Sequence, residues 1–397
     1  MNRNVLVLLV VRVIANFADS FYFLASVWYV KETTDASFWI GVTTFAAMIP
    51  VVFQVFYGPL IDRYSKKKLL LVAMAIQAMV LIVLASLYAF GELSVGFVIA
   101  GLFIATLASE LSYPTEYALV PSLVRESDLQ KVNAWFTFTH HSLDLLCNAI
   151  AGFLLALIGV GLMYMSNAVL YLFLFAVIGF FLRINETVTR TSEDVTYLTD
   201  LKVGFRYVWK LGSFRTLIVV FTCLNFMVSI SLGVLPILAT TEEMYGLWLA
   251  AISVGTLLGS GLSTRYGNRS LRWTFVFATG IGGLAWCVSA IWLNRNVGVT
   301  LISFGIAWVA IGMMGIQFQT LLQRQIQSEY LGRTLTVIYA LQGMLAPFGY
   351  LFGGMFADWL NPILLYLIGA LTLLVSSMYF RKSSFLTSHA TLQDQAG

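Results

Sequence analysis

Apolar runs, each about 20 residues long, alternate with short polar breaks along the whole chain. A helix rises about 1.5 Å per residue, so a run of about 20 crosses the roughly 30 Å of a bilayer's hydrocarbon. Division at charge clusters and turn residues gives twelve spans: 5–30, 38–60, 69–90, 94–117, 132–158, 161–182, 214–240, 245–264, 273–293, 297–322, 334–357 and 362–380. The longest and most polar interval, 183–213, has 182 residues before it and 184 after. This pattern predicts an all-α membrane protein of twelve transmembrane helices in two pseudo-symmetric six-helix bundles. The bundles are expected at 1–183 and 214–397, joined by a linker at 184–213. The first run continues to about residue 30 with no A-x-A-like cleavage site, so it reads as a retained helix rather than a signal peptide.

Composition agrees. Residues are 59% hydrophobic and only 11% charged, with a mean hydropathy of +0.85, against about 25% charged in soluble domains. The formal charge of +4 follows from where the basic residues sit and gives no reason to expect a nucleic-acid partner. Of the 23 Lys and Arg, 20 fall in the loops on the side of the N-terminus, Lys31 and Arg295 fall opposite, and Arg12 lies within the first span. Basic loops stay cytoplasmic, so both termini are expected inside the cell membrane. Cys147, Cys223 and Cys287 all lie in apolar runs, which suits neither a disulfide framework nor a metal site. No G-x-x-x-x-G-K-[ST] motif is present, so neither ATP nor another cofactor is expected, and a proton gradient is the expected energy source.

The densest charge lies between spans two and three, in Gly58-Pro59-Leu60-Ile61-Asp62-Arg63-Tyr64-Ser65-Lys66-Lys67. Its counterpart between spans eight and nine contains Arg265-Tyr266, matching Arg63-Tyr64. The loops after spans four and ten echo each other as SDLQK (127–131) and SEYLGR (328–333). Echoes at corresponding places suggest a duplicated six-helix unit.

These residues resemble the major facilitator superfamily, whose first-half signature G-x-L-x-D-R-x-G-R/K-R/K is followed from Gly58 to Lys67 except at Ser65. YPTEYALVPSLVRESDLQKVNA (113–134), EYLGR (329–333) and QGMLAPFGYLFGGMFAD (342–358) are similar to its macrolide-efflux and enterobactin-exporter-like group. The resemblance implies alternating access between two halves. It also implies a conformational latch of Gly58, Asp62, Arg63, Lys66, Glu116 and Arg333, with Asp62 near the start of span eleven and Lys66 beside Glu116. The chain departs from many drug antiporters in having no arginine in span four and Cys147-Asn148 in place of the Gly-Pro pair of span five.

An ionisable residue at the centre of a span costs at least about 2.5–3.5 kcal/mol and needs a reason. Span one carries Arg12, Asn16 and Asp19, and Asp19 is the first candidate for a protonatable coupling group. Arg12 stands two turns away, too far for contact within one helix, so its partner is expected elsewhere. His140, His141 and Asp144 in span five lie within a turn of one another and suit a proton relay, and Glu110 in span four is a further coupling candidate. Arg12, Asn16, Asn225, Gln317, Gln319 and Gln342 are candidates for lining a substrate cavity. Each also has an ordinary structural role as a hydrogen-bonded group between helices. The leading expectation is a proton-coupled exporter of amphipathic small molecules such as macrolide-like drugs, working as a monomer. The alternative is a dedicated exporter of a siderophore, peptide antibiotic or lipid. A membrane enzyme or sensor lacks a supporting constellation.

Overall fold

A computed structural model describes residues 3–124, 126–183, 205–206, 208–209, 212–266, 270–326 and 331–383. Among these residues every regular element is helical. In lipid the backbone must satisfy its own hydrogen bonds, and a helix does so within one segment. The first helices are α1 (Arg3–Thr33), α2 (Ser37–Met48), α3 (Tyr57–Arg63), α4 (Lys66–Ala89), α5 (Val95–Leu123) and α6 (Glu126–Phe181). They are followed by α7 (Ser213–Gly233), α8 (Leu235–Leu238), α9 (Glu242–Tyr266), α10 (Leu271–Trp292), α11 (Val297–Gln325), α12 (Leu331–Ala357) and α13 (Pro362–Lys382). Nine helices among the described residues are long and apolar enough to cross a membrane.

Local chemistry sets several ends. Asn296 Oδ1 accepts from Val299 N at 3.1 Å, and Asn361 Oδ1 accepts from Ile363 N at 3.0 Å, with Pro362 following at the first helical position. The second span is less regular than its apolar run predicts. A 3-10 segment, Ile49–Phe56, separates α2 from α3 and contains Pro50, which has no N–H for a helical bond. Spans five and six fall within α6, interrupted at Gly159, where φ is 73° and ψ 172°. Glycine adopts this left-handed backbone without strain, so the chain turns there within a few residues.

Residues group into two compact units, one of Met1–Glu193 with Ala239–Ala250, the other of Asp194–Leu238 with Ala251–Gly397. In the first, α1 packs against α6 and α5, and α4 against the same two helices. The segment 239–250 meets this unit at Lys31 and at Gly152. Lys31 donates to the carbonyl of Ala239, and Gly152 approaches so closely that a Cβ would lie 2.9 Å from the Glu242 carbonyl and from Gly246 Cα. In the second unit, α7 packs on α12 and α13, and α10 on α11 and α13.

The end of α6 is tied down by two residues from other helices. Lys67 donates to the carbonyls of Gly179 (2.9 Å) and Leu182 (2.6 Å). Asn4 exchanges bonds with the backbone of Arg183, giving at 2.7 Å and accepting at 3.3 Å. A lysine on the last carbonyls of a helix supplies hydrogen bonds and opposes the negative end of its dipole. Lys67 thus has a helix-capping role, beyond the headgroup anchoring that a basic loop residue suggests.

Candidate functional site

The ionisable groups of the first unit converge where α1, α5 and α6 meet. Arg12 Nε donates to Glu116 Oε2 at 2.8 Å, and both side chains are buried. Seven residues further along α1, Asp19 accepts from Ser109 Oγ at 2.8 Å through Oδ2 and from Tyr171 Oη at 2.5 Å through Oδ1. Position 12 meets 116 and 19 meets 109, seven on in one helix and seven back in the other. This is the register of antiparallel neighbours whose facing side chains repeat every two turns. The α6 side obeys the same rule. Asp19 meets Tyr171, and Ser26 meets Tyr164 at 2.9 Å. Arg12, Asp19 and Ser26 are therefore three polar teeth, seven residues apart, along one line of α1.

The two charged centres differ. Moving an ion out of water costs several kcal/mol even after relaxation, and a pair offsets this only with good geometry and further hydrogen bonds. The guanidinium of Arg12 lies 5.1 Å from the centre of the Tyr113 ring, an attraction of about 2 kcal/mol or more where the cation is desolvated. Tyr113 in turn donates to Tyr117 at 3.1 Å. Arg12 Nη2 and Glu116 Oε1 have no hydrogen-bond partner among the described residues. Asp19 is only half-buried and is held by hydroxyls, with no cation bonded to it among the described residues. Its neighbour Tyr22 lies 6.5 Å from Tyr171, ring centre to ring centre.

Several sequence expectations change on this geometry. Glu116, expected beside Lys66 in the latch, ion-pairs instead with Arg12. It stands on the face of α5 turned towards α1, at the depth of Arg12, and is fully buried. Arg12, expected to line a substrate cavity, is spent on that pair. Asn16 is buried one turn away, and Glu110 is half-buried, within electrostatic reach of Tyr22 and Tyr57. Arg63 is exposed at the end of α3, and Lys66 opens α4, half-buried. Gly58, Asp62, His140, His141, Asp144 and Arg333 lie on helices, but their side chains and surroundings lie outside the described residues. The hydroxyls of Ser109 and Tyr171 escaped the sequence reading because each is unremarkable alone. The signal available was the shared spacing of 12–19–26, 109–116 and 164–171.

In the second unit, Asn225, Gln319 and Gln342 meet at one cavity of about 360 Å³, together with Phe221, Met314, Gly315 and Phe318. Asn225 Nδ2 donates to the Gln342 carbonyl at 2.8 Å, tying α7 to α12. The Phe221 and Phe318 rings stack with centres 3.9 Å apart and planes 13° from parallel. Gln317 does not line this cavity. Two residues from Gln319 it points to another side of α11, and it is buried with Oε1 unbonded among the described residues.

The family model of the Major Facilitator Superfamily matches residues 8–347. The chain belongs to the major facilitator superfamily. It is a multi-pass membrane transporter rather than an enzyme, and its all-helical architecture is that of the superfamily. Curated relatives include the uncharacterized MFS-type transporter YfiS of Bacillus subtilis (strain 168), 25% identical over 80% of this chain and 78% of the relative. Macrolide efflux protein A of Streptococcus pyogenes is 22% identical, with 84% of both chains covered. The staphyloferrin A transporter of Staphylococcus aureus (strain NCTC 8325 / PS 47) is 21% identical, with 89% of both covered. Among solved structures, a bacterial homologue of the iron transporter ferroportin in its inward-facing state has the same fold. Its TM-score is 0.72 at 15% identity, covering 96% of this chain and 99% of that one.

Proposed function

We propose that this superfamily transporter is a proton-coupled exporter of amphipathic small molecules of the macrolide-like class, with Asp19 as the coupling carboxyl. Alternating access between an N-terminal and a C-terminal six-helix bundle, with both termini cytoplasmic, belongs to the same reading. The observation that carries it is the bonding of Asp19. A hydroxyl donates to a carboxylate and accepts from a carboxylic acid, so Ser109 and Tyr171 can satisfy Asp19 whether or not it holds a proton. Arg12, the one cation nearby on α1, is engaged by Glu116, so loading a proton on Asp19 breaks no ion pair. An intramembrane carboxyl of this kind is a functional site by default. The similarity to macrolide efflux protein A supports the direction and the cargo class.

The test uses inverted membrane vesicles with an acidified lumen, a panel of macrolides, cationic dyes and a siderophore, and a pH probe. The native protein is expected to release protons when a macrolide or dye is added. Asp19→Asn is expected to lose at least tenfold of that release. Native-level release from Asp19→Asn overturns the assignment and moves it to Glu110 or Asp144. A second reading, a dedicated siderophore exporter, is favoured by the similarity to the staphyloferrin A transporter. It wins if the siderophore alone of the panel moves.

A further inference from the structure

The cavity in the second unit differs chemically from the charged junction in the first. Among the described residues its lining contains no ionisable side chain. Phe221, Phe318 and Met314 give it an apolar wall, and Met in particular adapts its shape to irregular partners. The side-chain amides of Gln319 and Gln342 bond no group among the described residues, although both line the cavity. At about 360 Å³ the space lies near the bottom of the range of about 300–1,000 Å³ usual for ligand sites. It suits one ring system, or one part of a larger molecule. A charged group entering it would lose its hydration and meet no counter-ion among the described residues, whereas a carbonyl or hydroxyl oxygen would find amide donors and acceptors.

One position bears on how much room the cavity has. Gly312 and Gly315 lie three residues apart on α11, yet a Cβ on Gly312 would collide with the backbone of Thr256, while one on Gly315 would meet nothing within 4 Å. Gly312 is therefore required for helix packing, and Gly315 is not. What the missing side chain of Gly315 provides is room in the cavity that it lines.

We infer that this cavity is a binding subsite for an uncharged, largely apolar ring system bearing a hydrogen-bonding oxygen, and that Gly315 sets the size of ring it admits. The inference rests on the reading of the chain as an exporter of small amphipathic molecules and assigns the recognition of their uncharged part. Gln319 and Gln342 read the oxygen, and the stacked phenylalanines back the ring.

The experiment measures equilibrium binding to the full chain in lipid nanodiscs, with no ion gradient, corrected for protein-free nanodiscs. The probes are 7-methoxycoumarin, a neutral aromatic lactone, and a coumarin carrying a trimethylammonium group. Saturable binding of the neutral probe is expected, with the cationic one at least tenfold weaker. Gly315→Leu should weaken the neutral probe tenfold or more while leaving the ligand-free melting midpoint within a few degrees of native. Gln319→Ala and Gln342→Ala, which leave the cavity open, should each weaken it about threefold or more. Binding is read without an ion gradient and apart from proton release, in variants that keep Asp19, so a failure of proton coupling and a failure of this subsite give different results. The inference is overturned if the neutral probe does not saturate the native chain, or if the cationic probe binds equally well. It is also overturned if Gly315→Leu folds and binds like the native chain, or, should that variant not fold, if both glutamine variants do.

Discussion

In the first unit α1 meets its neighbours through polar side chains seven residues apart, whereas in the second two pairs of helices close on each other at glycines four apart. Arg12, Asp19 and Ser26 reach across to Glu116, Ser109, Tyr171 and Tyr164. Gly255 and Gly259 of α9 press on the backbone of α11 near Gly305 and Val309, and Gly349 and Gly353 of α12 press on α7 at Phe226 and Ile230. Both spacings return to one helix face, since seven residues are nearly two turns and four are slightly more than one. The chemistry differs. Inside a bilayer no hydrophobic force draws helices together, so packing and hydrogen bonds must do so. Glycines let backbones approach and gain dispersion contacts over a broad area. Polar teeth hold at a few points and leave groups able to change their bonding. The unit with the teeth is also the one that holds the proton-coupling candidates Asp19 and Glu110.

The comparison breaks most sharply at Arg12. Arg12→Ala leaves the fully buried Glu116 without its partner. Losing one member of a buried pair costs about 3–5 kcal/mol, so a fall in melting midpoint larger than for any other single change considered is expected in thermal unfolding of the purified protein. Arg12→Met combined with Glu116→Leu removes both charges and should recover most of the loss. If the single variant melts like the native protein, the pair is not what holds α1 to α5.

On the glycine side, Gly353→Leu forces a side chain onto the Ile230 carbonyl and Gly233, where there is no room for a Cβ. Overpacking of this kind costs about 1–3 kcal/mol. Gly261→Leu is the control, because a Cβ there meets open space, and it should melt within a degree or two of native. Equal midpoints for the two would show that close backbone approach does not hold the second unit together.

How far all this could be read beforehand follows from the same contrast. The apolar runs and the break near Gly159 were legible, because length and backbone conformation are local properties. Arg12 and Asp19 stood out because charge in a span is rare. Their partners did not, since Glu116 is as plausible in a loop latch as in a buried pair until α5 is laid against α1. Ser109, Tyr171, Ser26 and Tyr164 are ordinary residues for a membrane helix, and only the recurrence of the seven-residue interval in three helices marks them. The break of span two at Pro50 was open to the same local reading but was hidden by the length of its apolar run. In the second unit Asn225, Gln319 and Gln342 were visible as polar residues, but the gap beside Gly315 depends on how three helices pack.

The smallest expected effect tests whether the teeth act as a series. Ser26 and Tyr164 share one bond at 2.9 Å, buried, with no charge involved. Hydrogen bonds between helices in a membrane are worth about 0.6 kcal/mol, so Ser26→Ala and Tyr164→Phe should each cost about that much. The double variant should cost little more than either one alone. A double-mutant cycle on melting midpoints reads this coupling directly. Additive losses would mean that each side chain stabilises its own helix by packing, and that the seven-residue register past Asp19 is only geometric. Coupling in this pair, with Asp19 and Tyr171 equally coupled one repeat away, would make the α1–α6 contact a hydrogen-bonded seam with the ionisable tooth placed among neutral ones.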